Sequence, residues 1–580
     1  MKLLQQYQRC DSDRSALTIS TLVMVSVAAF AFSPGITIAS ELTTVVVSGD
    51  AVPGIPEELV FEAAISGAVP TISRNGIVAL VLSTDENSRG TWTFDSATGG
   101  PLSLFGLTGD PVAGPPDELQ FTSLQIYAID NQAALSFRSS LGMGSGSAGV
   151  ALGAKNALAA VAYQGEDAPG FEPLNFNGSM SHPALSPSGD LVFSGRVSSM
   201  RGAWYQAQGS SLDVLLGPNL PAPGLPPGNT IAEVNDEGVN NIPINAHGTA
   251  AVYVQLTVGG DVTFDDDLAI YKGTPGALEI AIRKGTPVAG LPRSGRIDEF
   301  VPRFSLNDDG DMAVWVVADE NHTGIVSLEN NILGLLAAEG DVAPGMDAGE
   351  VFESNSGSPF AIPIISTSGE TYFSSLVSPG SGSATGFGIW KGTVSTGPSI
   401  IARDGDPVDP LLPAVVIGAI NIDNYVVAPE GSVIFQATLS GKGVDGSNNL
   451  ALLRHDPSDG LSVVAREGDL LEVRAGDFRM IDGFEFSTLS NGLDGRPSSV
   501  CATAFVFRLT FDDESSGVFL LDLRDCITDF NGDGLTNGAD LATLLSVWGS
   551  DSPIGDLNGD GIVDGGDLAT LLANWGLCDS

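Results

Sequence analysis

The chain has 580 residues, a formal net charge of −45 and a sequence pI near 4.1, an acidity that repels nucleic-acid phosphates and anionic membrane surfaces and leaves divalent cations and neutral or cationic ligands as partners. With 43% hydrophobic and 16% charged residues it is composed to fold, and it is too long for one ordinary core. Its 72 glycines and 34 prolines recur at spaced, turn-like sites, which suits many short strands better than long helices.

The first forty residues have the build of a targeting segment. Lys2, Arg9 and Arg14 form a basic leader, an apolar run follows from Ala16 to Phe32, and Pro34-Gly35 breaks it. Thr37, Ala39 and Ser40 then offer a cleavage site before Glu41. Residues 1–40 are expected to be a signal peptide, so the mature protein is expected to be secreted, extracellular or at the cell surface. Asp11 and Asp13 leave an uncleaved anchor as the alternative. No later apolar stretch reaches the ~18–20 residues of a membrane span, so none is expected once the leader is removed.

From Gly49 onward one turn motif keeps returning. Its copies are Gly49-Asp50-Ala51-Val52-Pro53-Gly54, Gly109 to Gly114, Gly165 to Gly170, a looser Gly217 to Gly224, Gly285 to Gly290 and Gly340 to Gly345, with degenerate versions at Gly405 and Gly468. Successive starts lie 52 (217 − 165) to 68 (285 − 217) residues apart, a period that marks a propeller or solenoid. Each copy is followed by an isolated aromatic, a turn such as Asn75-Gly76 or Asp309-Gly310, and a β-rich run. A second strand often carries an aromatic, as in Thr91-Trp92-Thr93-Phe94, Ala203-Trp204-Tyr205 and Gly388-Ile389-Trp390. A further apolar strand leads into the next motif.

That makes about four strands per unit and a mainly β fold over residues 41–525. The expected architecture is a β-propeller of about eight blades, or seven if one copy is an insertion. The last unit, ending near Val518–Leu523, lacks its final strand, and Thr43–Val47 at the other end looks like the missing piece. Pairing the two would close the ring and remove exposed strand edges. A stacked β-solenoid is the alternative. The motif glycines and the strand aromatics are expected to be structural, because they recur with the fold.

Residues 526–580 are of another kind. The run from Asp529 to Asp540 places oxygen donors at loop positions one, three, five, nine and twelve: Asp529, Asn531, Asp533, Asn537 and Asp540. Gly534 stands at position six, where the chain must turn sharply, and Leu535 at position seven can give its carbonyl. Twenty-seven residues later (556 − 529) the pattern returns as Asp556, Asn558, Asp560, Ile562, Asp564 and Asp567. Calcium takes six to eight hard oxygens in a flexible cage, and without His or Cys neither loop suits a softer metal, so two Ca2+ ions are expected. Each loop leads into Asp-Leu-Ala-Thr-Leu-Leu and then Trp-Gly. Leu541, Leu544, Leu545 and Trp548, and likewise Leu568, Leu571, Leu572 and Trp575, are spaced for one apolar helix face on which the two helices could pack.

This duplicated loop–helix unit resembles the type I dockerin family, in the Trp-Gly-ending, Cys-flanked variety seen on exported bacterial proteins, and the body looks like uncharacterised propeller-like repeat regions found with such modules. The resemblance implies a small α-helical domain ordered by calcium, with a helix face that docks onto a cohesin. Loop positions ten and eleven, often Ser-Thr in that family, contribute to docking there; here they are Gly538-Ala539 and Gly565-Gly566, a departure from the pattern. Cys526 and Cys578 bracket the unit, and a disulfide between them is expected in an oxidising compartment, leaving Cys501 as a buried free thiol; the alternative is that all three stay reduced.

Two functions follow. One is a non-catalytic binding or display protein, whose ring presents loops to a glycan or protein while the tail attaches to a cohesin-like or cell-surface protein. The other is a tethered polysaccharide hydrolase or lyase, which would need two carboxylates facing one cleft, or a metal or basic group near the sugar. His182, His247, His322 and His455 sit at dissimilar repeat positions and read as surface or turn residues. No nucleophile elbow, phosphate loop or His-Glu-x-x-His helix is present. With no catalytic residue to assign, the balance favours binding.

Overall fold

A glycine can hold a positive φ that lets its N–H turn back across a hairpin, and the repeated motif uses this the same way each time. The computed structural model describes residues 42–577 except 56–58, 63–68, 85–88, 114–119, 122–125, 141–147, 156, 236–241, 293–294, 320–321, 354–358, 380–385, 409–413, 458–459, 489–497, 525–527, 531–534, 551, 553–554 and 558–561. The N–H of Gly49 donates to Phe61 O (3.0 Å), that of Gly109 to Phe121 O (2.8 Å), and that of Gly340 to Phe352 O (2.9 Å). Gly165, Gly285, Gly405 and Gly468 do the same to Phe176, Ile297, Ile417 and Ile481. In the loose fourth copy the donor is Asn219, at φ 63°, bonded to Ile231 O; it replaces the expected Gly217, since asparagine is one of the few side chains that tolerate this region.

The next residue's carboxylate closes the turn from the other side. Asp50, Asp110, Asp341 and Asp406 each accept the N–H three residues upstream, at 2.6 to 3.1 Å. The Pro-Gly that ends the motif then docks on a buried aromatic of the third strand. Trp92 donates its indole N–H to Pro53 O (3.2 Å), Trp204 to Pro169 O (3.0 Å) and Trp390 to Pro344 O (2.8 Å), while Tyr271 uses its hydroxyl on Pro223 O. The isolated aromatic after the motif packs edge-on against the same ring, with Phe61 and Trp92 at 5.1 Å and Phe352 and Trp390 at 5.1 Å. In blades one, three, four and six, motif and strand aromatic therefore form one structural clasp.

Eight antiparallel sheets follow in order, numbered here as blades one to eight. Their second strands are Ile77–Ser83, Leu135–Ser140, Leu191–Val197, Ala250–Leu256, Met312–Asp319, Thr371–Ser378, Val433–Gly441 and Ala504–Phe511. Innermost strands are short or broken; in blade six, Val351–Phe352 and Ile364–Ile365 pair with opposite ends of the same neighbour. The apolar cores lie between blades. One joins Ala251 and Ile270 of blade four to Phe304 and Val314 of blade five. Burial on both faces explains why these strands read as apolar runs rather than alternations.

The ring closes as expected. Leu42–Val47 pairs antiparallel with Ser516–Asp522, from Leu42 opposite Leu521 to Val47 opposite Gly517, as the outer strand of blade eight. Val45 and Val46 share a core with Val78, Leu80 and Trp92 of blade one and with Val518 and Leu520. Cys501 is buried in that core with a free thiol.

Past blade eight the chain forms two nine-residue helices, α1 (Gly538–Ser546) and α2 (Gly565–Ala573), the only helices among the described residues. Neither is long and apolar enough to cross a membrane. Leu535–Thr536 pairs with Gly576–Leu577, and in the other half Gly549 N–H donates to Val563 O (2.9 Å) and Val563 N–H to Ser550 O (2.9 Å).

Candidate metal module and ring axis

Both predicted calcium loops feed directly into a helix cap, and the two caps superimpose bond for bond at the 27-residue offset. Phe530 N–H donates to Asp540 Oδ1 (2.8 Å) and Asn537 N–H to Asp540 Oδ2 (2.7 Å). Leu557 and Asp564 make the matching bonds to Asp567 at 2.8 and 2.7 Å. Asn537 and Asp564 are the N-caps, accepting from Ala539 and Gly566. Asp540 and Asp567 are both 0% exposed. A carboxylate buried this way needs its oxygens satisfied, and each is held by the backbone of loop positions two and nine. The donor set is oxygen throughout, which fits calcium.

Asp529, Leu535, Asn537, Asp540, Asp556, Ile562, Asp564 and Asp567 are thus placed on two like loops. Asn531, Asp533, Asn558 and Asp560, and the cysteines Cys526 and Cys578, lie outside the described residues. Gly538, Ala539, Gly565 and Gly566 form the exposed first turns of the helices.

The expected single apolar helix face divides in two. Leu544 and Leu571 are fully buried with Phe530 and Val563, and Leu541 and Leu568 pack beside them. Leu545 (52% exposed), Trp548 (45%), Leu572 (52%) and Trp575 (48%) instead face outward. The helices end at Ser546 and Ala573, so each Trp lies beyond the last turn rather than on the helix stripe.

On the ring, the innermost hairpins form a polar belt from blade one to blade seven. Asn75 Nδ2 donates to Asn131 O (2.8 Å), Asn131 N–H to Pro187 O, and Ser188 Oγ to Ala246 O. Asn245 Nδ2 then reaches Asn307 O (3.0 Å), Asn307 Nδ2 reaches Ser366 O (3.1 Å), and Thr367 Oγ1 reaches Pro429 O (3.1 Å). Asn245 also caps its own turn, its Oδ1 accepting from His247 and Thr249. Across this belt, Arg74 of blade one pairs with Asp308 of blade five at 2.5 Å. These blades are opposite one another in a ring of eight, so the ion pair spans the axis at this end.

Buried carboxylates do occur. Burial pushes Asp404 up to about 6, and it raises Glu339 as well, with Glu353 adding to it. Glu339 and Glu353 are both buried, yet Glu339 accepts the N–H of Thr323 (2.8 Å). Asp404 and Glu467, at the same repeat position, accept from Phe387 and Leu450. A bond repeated in three successive blades is a strand clip. Of the histidines, His247 is exposed in a turn, whereas His322 and His455 are half-buried on strands, a correction to the surface or turn reading; burial lowers His455.

The first helix side of the module faces the closure seam. Cavities of about 290 and 860 Å³ lie there, the smaller between Arg74, Thr503 and Arg524 and the module's Phe530 and Thr543. Ser552 Oγ donates to Thr98 O of blade one (3.4 Å).

A family described as "Family of unknown function (DUF7453)" matches residues 32–322 and 304–524. No curated protein matches the chain. Among solved structures, a puromycin-hydrolysing peptidase of Mycobacterium tuberculosis is similar at 11% identity and a TM-score of 0.33, over 77% of this chain and 59% of that one. The chain thus spans about three-fifths of that structure's length. The GH74 xyloglucanase of Xanthomonas campestris aligns over 81% and 65% at 14% identity and TM-score 0.32. A polysaccharide lyase of family PL25, an ulvan lyase, aligns over 70% and 95% at 9% identity and 0.29.

Proposed function

The chain belongs to the DUF7453 family of unknown function, and from that premise, which carries no activity, we propose a secreted, non-catalytic binding or display protein with a dockerin-like tail. The tail takes up two calcium ions and attaches the ring to a cohesin-like or other cell-surface protein, and the ring presents loops to a glycan or protein. The observation that carries this reading is the pair of buried position-twelve carboxylates, Asp540 and Asp567, each fixed by the N–H groups of loop positions two and nine. They fix the two helix caps in the same arrangement. Asp529, Asn531, Asp533, Leu535, Asn537 and Asp540 would hold one ion, and Asp556, Asn558, Asp560, Ile562, Asp564 and Asp567 the other, each ion ordering its loop.

The outward Leu545, Trp548, Leu572 and Trp575 suit attachment, since large apolar side chains left in water favour a partner. On the ring, the Glu339, Asp404 and Glu467 carboxylates recur as strand clips, which favours display over catalysis. Calorimetry on the chelator-stripped full chain tests the reading: two calcium ions should bind and helical circular dichroism should rise. No uptake refutes it. For attachment, the double variant W548A/W575A should lose binding to a cohesin panel while still taking up calcium.

A further inference from the structure

We propose that the smaller cavity at the closure seam binds a small hydroxylated organic carboxylate, the size of a single acidic sugar, with Arg74 as its anchor. The proposal stands apart from calcium uptake by the tail. Arg74 is the member of the polar belt that the repeat does not copy. In blades one to seven the inner hairpin is tied by an N–H donating to the carbonyl three residues earlier, from Gly76 to Ser73 in blade one through Gly431 to Ala428 in blade seven. The residue after that carbonyl is Arg74 in blade one and Asn131, Pro187, Ala246, Asp308, Thr367 and Pro429 in the others. Only blade one puts a basic side chain there.

A guanidinium offers five N–H donors in a planar fork. Among the described residues the polar partner of Arg74 is Asp308 alone, reached through Nη2 at 2.5 Å, and Nε is buried with no acceptor. A buried donor left without an acceptor is rare and costly, and a ligand is one way to supply the acceptor. The side chain is 26% exposed and lines the cavity, so its uncommitted fork is within a ligand's reach. Two neighbouring N–H groups of such a fork match the two oxygens of a planar carboxylate.

The rest of the lining says what the carboxylate is attached to. Arg524 is the second basic group of the cavity, and Asp522, which it grips through Nε at 2.8 Å, is the acidic one. Two arginines against one aspartate leave a single positive charge in the lining, in a chain with 70 acidic and 25 basic residues. One negative charge on the ligand balances it. Phe94, Leu520, Ala504 and Phe530 give the wall an apolar side, which suits a carbon skeleton better than a bare inorganic anion. The hydroxyls of Thr43 and Ser96 make no hydrogen bond among the described residues, and they suit hydroxyls on that skeleton. At about 290 Å³ the cavity lies at the small end of ligand pockets, which begin near ~300 Å³, so one sugar ring fits and a chain of them does not.

Calorimetric titration of the full chain tests this with glucuronate, with glucose as the neutral counterpart and sulfate as a tetrahedral anion. Glucuronate should bind, and the other two should bind at least about tenfold more weakly, since hydrogen bonds between charged groups carry the difference. R74Q should weaken glucuronate by about tenfold or more. D308N removes the charge that competes for Arg74 and should tighten glucuronate by up to about fivefold. T543F fills the cavity from the α1 side with both arginines in place, and it should abolish binding. R196Q on blade three should change nothing. No binding of glucuronate by the parent chain overturns the proposal, as does glucose or sulfate binding equally well. A glucuronate affinity that neither D308N nor T543F moves also overturns it, and that result holds even where R74Q fails to fold.

Discussion

Gly340 and Gly345 open and close the same motif copy, with nearly equal φ of +87° and +82°, yet an alanine at each should cost very different amounts. A methyl at Gly340 meets nothing within 4 Å, so G340A should cost only the left-handed backbone penalty, about 1 kcal/mol. A methyl at Gly345 would lie 2.2 Å from Ile400 Cγ2 and 2.7 Å from its Cβ. Those atoms sit at a branch point next to the backbone of the outer strand Gly397–Arg403, so the strand itself must give. Overpacking of that kind costs about 1–3 kcal/mol more. Any shift of Pro344 also draws its carbonyl from the Trp390 indole (2.8 Å), a bond contributing about 1 kcal/mol.

G345A should thus destabilise by about 3–5 kcal/mol and G340A by about 1. Urea unfolding followed by tryptophan fluorescence reads this as two midpoint shifts at unchanged slope. Equal shifts, within ~0.5 kcal/mol, would refute the argument that the Pro-Gly turn is clasped against the strand rather than merely bent.

Three further outcomes follow from the ring. Burial holds Asp469 at about 6, above its ordinary 3.8, so the folded state binds the proton more tightly and wild-type stability should fall as pH rises from about 4 to about 6. D469N should lack that slope and be more stable at pH 7, by on the order of 1 kcal/mol after solvent screening, with no difference at pH 4; a pH series of unfolding midpoints checks it. Deleting residues 42–47 exposes the edge of Ser516–Asp522 and the core of Val45 and Val46, so the chain should aggregate on heating where the parent remains monomeric in light scattering. A double-mutant cycle of R74Q and D308N should give a coupling of about 1 kcal/mol, falling in 0.5 M salt, because the pair is only partly shielded from water; a coupling of zero would remove the cross-axis contact.

Local chemistry made most of the ring legible. Gly49-Asp50 and its copies announce a turn because the bonds they need are close in sequence, and the run around Trp92 announces a strand, whereas its bond to Pro53 appears only in the fold. The missing strand after Leu523 could be matched to Thr43–Val47 because an open edge has to be covered. What escaped was whatever depends on the ring bringing distant residues together. Arg74 and Asp308 are 234 residues apart, and only the count and closure of blades make them opposite. Asn219 escaped for another reason, since its left-handed turn is carried by a residue that usually stands elsewhere. The outward turn of Trp548 follows from α1 stopping at Ser546, and helix ends are poorly specified by apolar spacing.

The same contrast says where function is to be sought in such a ring. A residue that returns in several blades, such as the Gly-Asp carboxylate or the Glu339-type clip, is doing something those blades share, which is to hold their strands. Chemistry particular to this protein must come from groups the repeat does not copy. Arg74 breaks the symmetry of the belt, and Arg524 stands where the ring's last strand passes into the C-terminal helices, between Asp522 and the Asp529 carbonyl. Both arginines line the smaller cavity at the closure seam, between blades eight and one, where the ring meets Phe530 and Thr543 of the C-terminal helix pair.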